Sequence, residues 1–169
     1  RLFNTNLSGS DLSKIDLSRR SLKRTNFSGA NFSDTNLTGS ILIGVNLSDA
    51  IISSAVLIKS DLSGANLDGV DLRNKDLTGV NLSGVDLINI DFTGTNLKDA
   101  KKIEISIKNL NDLHWLASKE IQNLNTTRYV LRGVEKFIAT QEGKVFKSIK
   151  NDLNIVLDIE TDVLGLASQ

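Results

Sequence analysis

The chain has 169 residues, of which 40% are hydrophobic and 24% charged, a composition typical of a soluble protein with one domain or two small ones. Its 20 basic and 20 acidic residues cancel, which argues against direct nucleic-acid binding and against attraction to an anionic membrane. No cysteine is present, so disulfides and thiolate chemistry are excluded, and no apolar run reaches the roughly 20 residues of a membrane span. We expect a cytoplasmic protein, unless a leader has been removed. Because methionine is absent even at position 1, we also expect a piece of a longer chain.

The first 100 residues repeat with a period of five. This period fits neither the 3.6 residues of a helical turn nor the alternation of a flat strand, so the chain must turn a corner once per repeat. A large apolar residue occupies the central position of every repeat. These central residues are Leu2, Leu7, Leu12, Leu17, Leu22, Phe27, Phe32, Leu37, Leu42, Leu47, Ile52, Leu57, Leu62, Leu67, Leu72, Leu77, Leu82, Leu87, Phe92 and Leu97.

The other four positions of the repeat are also specialised. Two residues before the centre stands a small or β-branched residue, the natural inward partner of the large one. The residue just before the centre is Asp or Asn in 15 of the 20 repeats, and these side chains favour turns because they bond nearby backbone groups. Ser or Thr usually follows the centre, and Gly often comes next, where it relieves the steric cost of a tight corner.

These columns resemble those of the pentapeptide-repeat family, and the stretch ANLDGVDLRNKDLTGVNLSGVDL from Ala65 to Leu87 is close to its consensus. The resemblance covers residues 1–100. It implies a mainly β fold, a right-handed quadrilateral β-helix with four repeats per coil and about five coils. The central and the small residues then point inward and the other three positions point outward. At about 4.8 Å per coil, the rod would be about 24 Å long.

Two departures from the pattern mark candidate binding surfaces. Apolar residues replace outward polar ones in the third coil, and we interpret this girdle as a candidate partner surface or, alternatively, as tighter ladder packing or a surface that the tail covers. Its residues are Ile41, Ile43, Ile51, Val56 and Ile58. The second departure is a basic patch, either an anion or partner site or simply solvated charge. Its residues are Lys14, Arg19, Arg20, Lys23 and Arg24.

Two basic residues occupy columns that should point inward. Burial of an unpaired guanidinium is costly, so we expect a local bulge or an outward swing at Arg20. Lys75 poses the same problem in the fourth coil, and the sequence suggests no function for it.

The repeat ends at Lys102, where the register demands an apolar residue. Residues 101–108 alternate isoleucine with polar residues, which predicts a capping strand or linker. In residues 109–169 the apolar residues recur with the period of a helix, and about three helices are predicted. The first runs along Leu110, Leu113, Ala117, Ile121 and Leu124. The second begins behind Thr126 and includes Val130 and Leu131, and the third lies between Lys144 and Leu166. These helices should cap the solenoid, form a homodimer or bind a partner.

No catalytic constellation is evident. His114 is the single histidine, which with the absence of cysteine removes most nucleophile–base pairs and transition-metal sites. We therefore predict no enzyme activity, no cofactor and no metal, and a repeat scaffold that binds another protein. The alternative is a DNA mimic that binds gyrase, like the quinolone-resistance members of the family, although residues 1–100 hold 11 Asp against 10 Lys or Arg. Ice binding by the regular Ser/Thr column is a third reading, which the interspersed charges disfavour.

Overall fold

The computed structural model describes residues 2–88, 90–101, 104–106, 112 and 130–132. Residues 2–101 wind into a β-helix in which each bridge joins residues 20 positions apart in parallel, for example Asn6 with Asn26 and Asn26 with Asn46. A coil therefore contains four repeats. For reference, residues 1–20, 21–40, 41–60, 61–80 and 81–100 are called coils 1 to 5, and the four successive repeats of each coil form faces 1 to 4. The predicted count of about five coils stays a prediction, because residue 89 and part of the chain after 101 lie outside the described residues.

Each repeat turns its corner through the same local hydrogen bonds. In the repeat of Leu7, the Ser10 amide donates to the Leu7 carbonyl at 3.1 Å and the Ser8 amide donates to the Asn6 side chain at 3.1 Å. The third residue of the turn, Gly9, has a φ of 66°, as in a type II β-turn. The Asp or Asn before the centre thus fixes the chain direction at the point where the strand must end.

The corner residue, two after the centre, has a positive φ throughout the described coils, with Ser54 as the exception. Where it is not glycine it is mostly Asn, Asp, Lys or Arg. A left-handed conformation costs such residues free energy, so the other hydrogen bonds of the corner must offset it.

The core is the interior of the coil. Every central residue from Leu22 to Leu97 is buried, as are the small residues of the inward column, such as Ala30 and Thr35. Phe27 and Phe32 meet edge to face across one corner, with ring centroids 5.1 Å apart. Inward threonines also have hydrogen-bond partners, since Thr35 Oγ1 donates to the Leu12 carbonyl of the preceding coil at 2.6 Å. The predicted inward and outward positions are therefore confirmed for coils 2 to 5.

Two short strands follow the coils, β1 (Glu104–Ser106) and β2 (Val130–Arg132), which pair in parallel. β1 lies within residues 101–108, for which the sequence predicted a capping strand or a linker; that this segment caps the last coil stays a prediction. The helix predicted behind Thr126 is wrong at Val130 and Leu131, because these residues are strand; their apolar side chains suit a strand paired along β1 as well as a helix stripe. The rest of the helices predicted in 109–169 lie outside the described residues, apart from Asp112, whose backbone is helical.

Candidate interaction surfaces

The apolar girdle of coil 3 is partly exposed. Ile51 on face 3 and Val56 on face 4 have 52% and 42% of their surface exposed. They occupy the outward column that holds Asn31 and Asn36 in coil 2, with which they form bridges. Two large aliphatic side chains thus flank one corner of the rod in a column otherwise made largely of Asp and Asn.

The remaining girdle residues are half-buried. Ile58 lies beside Val56 on face 4, whereas Ile41 and Ile43 lie on face 1. Ile41 forms ladder bridges to Ser21 and Asp61, so part of its side chain packs along the column. The five predicted residues are therefore distributed over three faces of one coil. Ile51 and Val56 are the two that are most exposed to solvent.

The basic patch lies around the first two coils. Lys14, Arg19, Arg20 and Arg24 are exposed and Lys23 is half-buried. The aliphatic stems of Arg19 and Arg24 pack against the next coil, where Gly39 and Gly44 leave room. Cγ of Arg19 lies 3.7 Å from the position that a Cβ on Gly39 would occupy, and Cγ of Arg24 lies 3.5 Å from the position that a Cβ on Gly44 would occupy. These stems direct the guanidinium groups outward.

Arg20 swings outward, as expected, but without a bulge. Its backbone keeps the ladder, since its carbonyl accepts the Ile41 amide at 2.8 Å. The side chain that should fill the inward column is instead exposed. A cavity of about 440 Å³ lies beneath it, lined by Leu2, Leu17 and Leu22 among others.

The side chain of Lys75, in contrast to that of Arg20, is buried. Only 6% of its surface is exposed, and its Nζ donates to the carbonyls of Ser53 at 2.8 Å and Ala55 at 2.7 Å. Burial lowers the pKa of its ammonium, which the charge of Asp71 partly offsets. The lysine thereby occupies two backbone carbonyl groups, as hydrogen-bond acceptors, at the corner between faces 3 and 4 of coil 3.

The ladder opens at this corner. Among the described residues, no bridge joins Ile51 to Asp71 or Val56 to Asp76, although Asn31 pairs with Ile51 and Asp76 with Asn96. The Ala55 carbonyl, which would accept the Asp76 amide in a regular ladder, accepts Lys75 instead. Ser54, the one described corner residue without a positive φ, lies at the same place, and its hydroxyl accepts the Asp34 amide at 2.8 Å.

A cleft opens between coils 4 and 5 on faces 2 and 3. The described part of the ladder has no bridge from Asn66 to Asp86 or from Asp71 to Asp91. The cleft has a volume of about 740 Å³. Its walls carry several carboxylates and one guanidinium: Asp68, Asp71, Arg73, Asp86, Asp91 and Asp112. One signal of it is visible in the sequence, because the inward residue that ends face 2 becomes larger along the rod, from Ala30 and Ala50 to Val70 and Ile90.

Asp71 and Arg73 form a bidentate ion pair at the rim of the cleft, with Nε and Nη2 donating at 2.9 and 2.7 Å. The hydrogen bond from the Arg73 side chain lowers the pKa of Asp71 to about 2. Hydrogen bonds from Thr93 lower the pKa of Asp91, which lies farther along the same column. Both carboxylates are therefore charged at neutral pH.

Among the described residues, no group of three His, Cys, Asp or Glu side chains is placed to hold a metal. Most serines and threonines occupy turn positions, whereas others, such as Thr35 and Ser60, are buried in the inward column. In the part of the chain that the structure describes, no helix could cross a membrane.

The fold and its repeat define a β-helical solenoid protein with outward faces available for contact. A sequence profile of pentapeptide repeats matches residues 1–39, 30–69 and 60–99 in eight copies. The chain belongs to the pentapeptide-repeat family, as its resemblance predicted. Membership gives the β-helix its right-handed winding.

Solved structures of the family resemble the chain. HetL of the cyanobacterium Nostoc sp. strain PCC 7120, described as involved in regulating heterocyst differentiation, is 30% identical over 59% of this chain and 50% of its own, with a TM-score of 0.50. The chain therefore spans half of HetL. A pentapeptide-repeat protein from the Arabidopsis thaliana thylakoid lumen is 28% identical over 67% of this chain and 75% of its own, with a TM-score of 0.40.

A third is QnrB1, a plasmid-mediated fluoroquinolone resistance protein. It is 20% identical over 98% of this chain and 83% of its own, with a TM-score of 0.37. No curated protein matches the chain.

Proposed function

We propose that this protein is a non-catalytic scaffold that binds another protein through the outward faces of its β-helix. The observation that carries the proposal is the exposure of Ile51 and Val56 on adjacent faces of coil 3. Contiguous apolar surface is uncommon on soluble monomers and often marks a protein contact.

The architecture supports this role. Each coil is hydrogen-bonded to its neighbours, so outward side chains are held at fixed spacings on a rigid core. A preorganised surface loses little conformational entropy on binding. The exposed pair lies at mid-length of the rod, where a partner that contacts it would also reach the polar columns of coils 2 and 4.

The test replaces the apolar pair by the residue that the same columns carry one coil earlier. Ile51→Asn with Val56→Asn should preserve the fold, because Asn31 and Asn36 occupy the equivalent positions in coil 2. In a quantitative pull-down from cell extract, partners that bind through coil 3 should be lost by the double variant.

A matched control adds an isoleucine on another face. Asn26→Ile places an aliphatic side chain in the same outward position on face 2 of coil 2, outside the girdle, the basic patch and the cleft, and should retain the wild-type partners. Circular dichroism checks that both variants are folded. If the double variant keeps every partner of the wild type, the girdle is not the binding surface.

A gyrase-binding DNA mimic is the second candidate. One observation favours it: residues 61–100 carry seven Asp against three Lys or Arg, and one of those cations, Lys75, is buried. Mimicry of duplex DNA needs a dense negative surface, and the cationic coils 1 and 2 oppose it. A gyrase supercoiling assay with purified protein tests this second candidate function, because a DNA mimic must inhibit gyrase or protect it.

We propose that residues 109–169 cap the β-helix or pair with a second copy. Burial of Asp112 in the wall of the cleft supports contact between this region and coils 4 and 5. Light scattering at increasing protein concentration in about 1 M salt, where charge-driven association is screened, distinguishes the two roles, since a cap leaves the mass unchanged. A cytoplasmic location and the absence of catalysis stay predictions.

A further inference from the structure

Charge is unevenly distributed along the rod. Residues 1–40 contain six Lys or Arg and three Asp, a net charge of plus three. Residues 61–100 contain seven Asp and three Lys or Arg, a net charge of minus four. Residues 41–60 contain one of each sign. Although the net charge of the whole chain is zero, coils 1 and 2 are therefore cationic and coils 4 and 5 are anionic.

The cationic groups of the patch have no carboxylate within 4.0 Å among the described residues, where the ion pair is that of Arg73 with Asp71. Arg19 and Arg24 project from two neighbouring corners, with their stems held over Gly39 and Gly44, so their guanidinium groups are presented to solvent rather than folded back.

The anionic groups surround an opening in the ladder. Asp68 and Asp86 line the cleft between coils 4 and 5, and both are exposed. The missing bridge between Asn66 and Asp86 leaves the backbone on both walls without its ladder partners. Carboxylates and free carbonyls are the acceptors that a guanidinium, with its five donors, binds best.

We propose that the basic patch of one molecule docks into the acidic cleft of a second copy of this chain. The two surfaces lie at opposite halves and on different faces of the rod, so the contact is heterologous: each copy keeps one unused cleft and one unused patch. Such contacts extend into chains of molecules unless their rotation closes a ring. This self-association does not depend on the girdle of coil 3.

Salt dependence gives the first test on the full-length protein. By sedimentation velocity, the wild type should form concentration-dependent oligomers at about 0.01 M salt, where the Debye length is about 30 Å, and dissociate at about 1 M salt, where it is about 3 Å. The apparent dissociation constant should rise at least about tenfold, which corresponds to about 1.4 kcal/mol. A protein that is monomeric at low salt overturns the proposal.

A charge exchange gives the decisive test. Arg19→Glu with Arg20→Glu and Arg24→Glu gives the five-residue patch a net charge of minus one, and Asp68→Lys with Asp86→Lys and Asp91→Lys gives the six charged residues of the cleft a net charge of plus two. Each triple variant alone should be monomeric at low salt, because its two surfaces then carry the same sign. Mixed in equal amounts, the variants should associate again, because each patch meets a cleft of opposite sign.

The matched control, Lys59→Glu with Lys98→Glu and Lys101→Glu, changes the net charge as much as the arginine variant without touching either surface and should associate like the wild type. Circular dichroism verifies folding of all three variants. Oligomers that ignore salt and charge reversal, as expected of pairing through residues 109–169, contradict the proposal, and so does failure of the mixture to associate. Neither result bears on the partners bound through coil 3.

Discussion

Coils 1 to 3 and coils 4 to 5 follow the same five-residue pattern but differ in their backbone ladders. In the first group the bridges continue on all four faces, whereas faces 2 and 3 of the second group open into a cleft. The inward residues beside the open faces also differ, since Ala30, Thr35 and Ala50 are followed along their columns by the bulkier Val70, Lys75 and Ile90. Extra inward volume forces backbone shifts, but volume alone does not account for the opening, because the bridges continue beside the inward Val45 and Val80. The outward consensus is therefore not sufficient to keep the ladder closed.

The largest expected effect comes from truncating matched core phenylalanines. Phe32 and Phe92 occupy the same column of face 3 and both are buried, but Phe32 also packs edge to face against Phe27. Phe32→Ala should lower the free energy of unfolding by about 3 to 5 kcal/mol, and Phe92→Ala by less, because coil 5 is less tightly paired. Urea denaturation of both variants measures the difference; equal losses would mean that the two groups of coils pack equally well.

Replacement of Lys75 should close part of the opening. Lys75→Thr introduces the residue that stands at 35 and 95 in the same column, and it returns the carbonyls of Ser53 and Ala55 to the ladder. We expect a gain in the free energy of unfolding of about 1 to 2 kcal/mol, since removal of a buried charge in favour of a packed residue is often stabilising.

Amide hydrogen exchange at Asp76 should slow in this variant. The exposed Lys98→Thr is the control and should change neither quantity, because Lys98 stands in the column that already carries Thr38 and Thr78 and has no positive φ. A loss of stability in Lys75→Thr would show instead that the ammonium stabilises the corner.

The buried lysine also predicts a pH dependence. Its pKa is lowered from 10.5 by burial, so between the lowered value and 10.5 the unfolded chain binds a proton that the folded chain has released. Stability should therefore rise with pH across this window. The rise should be absent in Lys75→Thr, as followed by thermal unfolding from neutral to alkaline pH. An identical pH profile for both proteins would contradict a lowered pKa at Lys75.

The smallest expected effects come from inward hydroxyls. The Oγ atoms of Ser40 and Ser60 are buried without a hydrogen-bond partner, whereas Thr95 Oγ1 donates to the Leu72 carbonyl at 2.7 Å. Ser60→Ala should raise the free energy of unfolding by about 1 kcal/mol, and Thr95→Val should lower it by about 1 kcal/mol. Chemical denaturation tests the opposite signs, and a shared sign would refute this account of the inward column.

The period of five predicted one corner per repeat, and the resemblance to the pentapeptide-repeat family predicted the β-helix and its inward residues. At Arg20 the sequence predicted a bulge or an outward swing, and the structure shows the swing. The sequence predicted neither the opened ladder nor the inward path of Lys75. Arg20 and Lys75 occupy the same kind of position, but Lys75 reaches carbonyls that a neighbouring corner can release, and such a contact depends on three-dimensional distances. At Val130 and Leu131 the apolar pattern suited a helix and a strand equally, and pairing with β1 decided between them.

The 20-residue pitch has a consequence for how such a chain can change in length. Loss or duplication of a single five-residue unit would leave the interior continuous, yet rotate everything downstream by a quarter turn and move each surface feature onto the adjacent side. Only insertions or deletions of four units at once preserve alignment between the two ends. Evolution of this chain's length without loss of its surfaces is therefore restricted to whole coils.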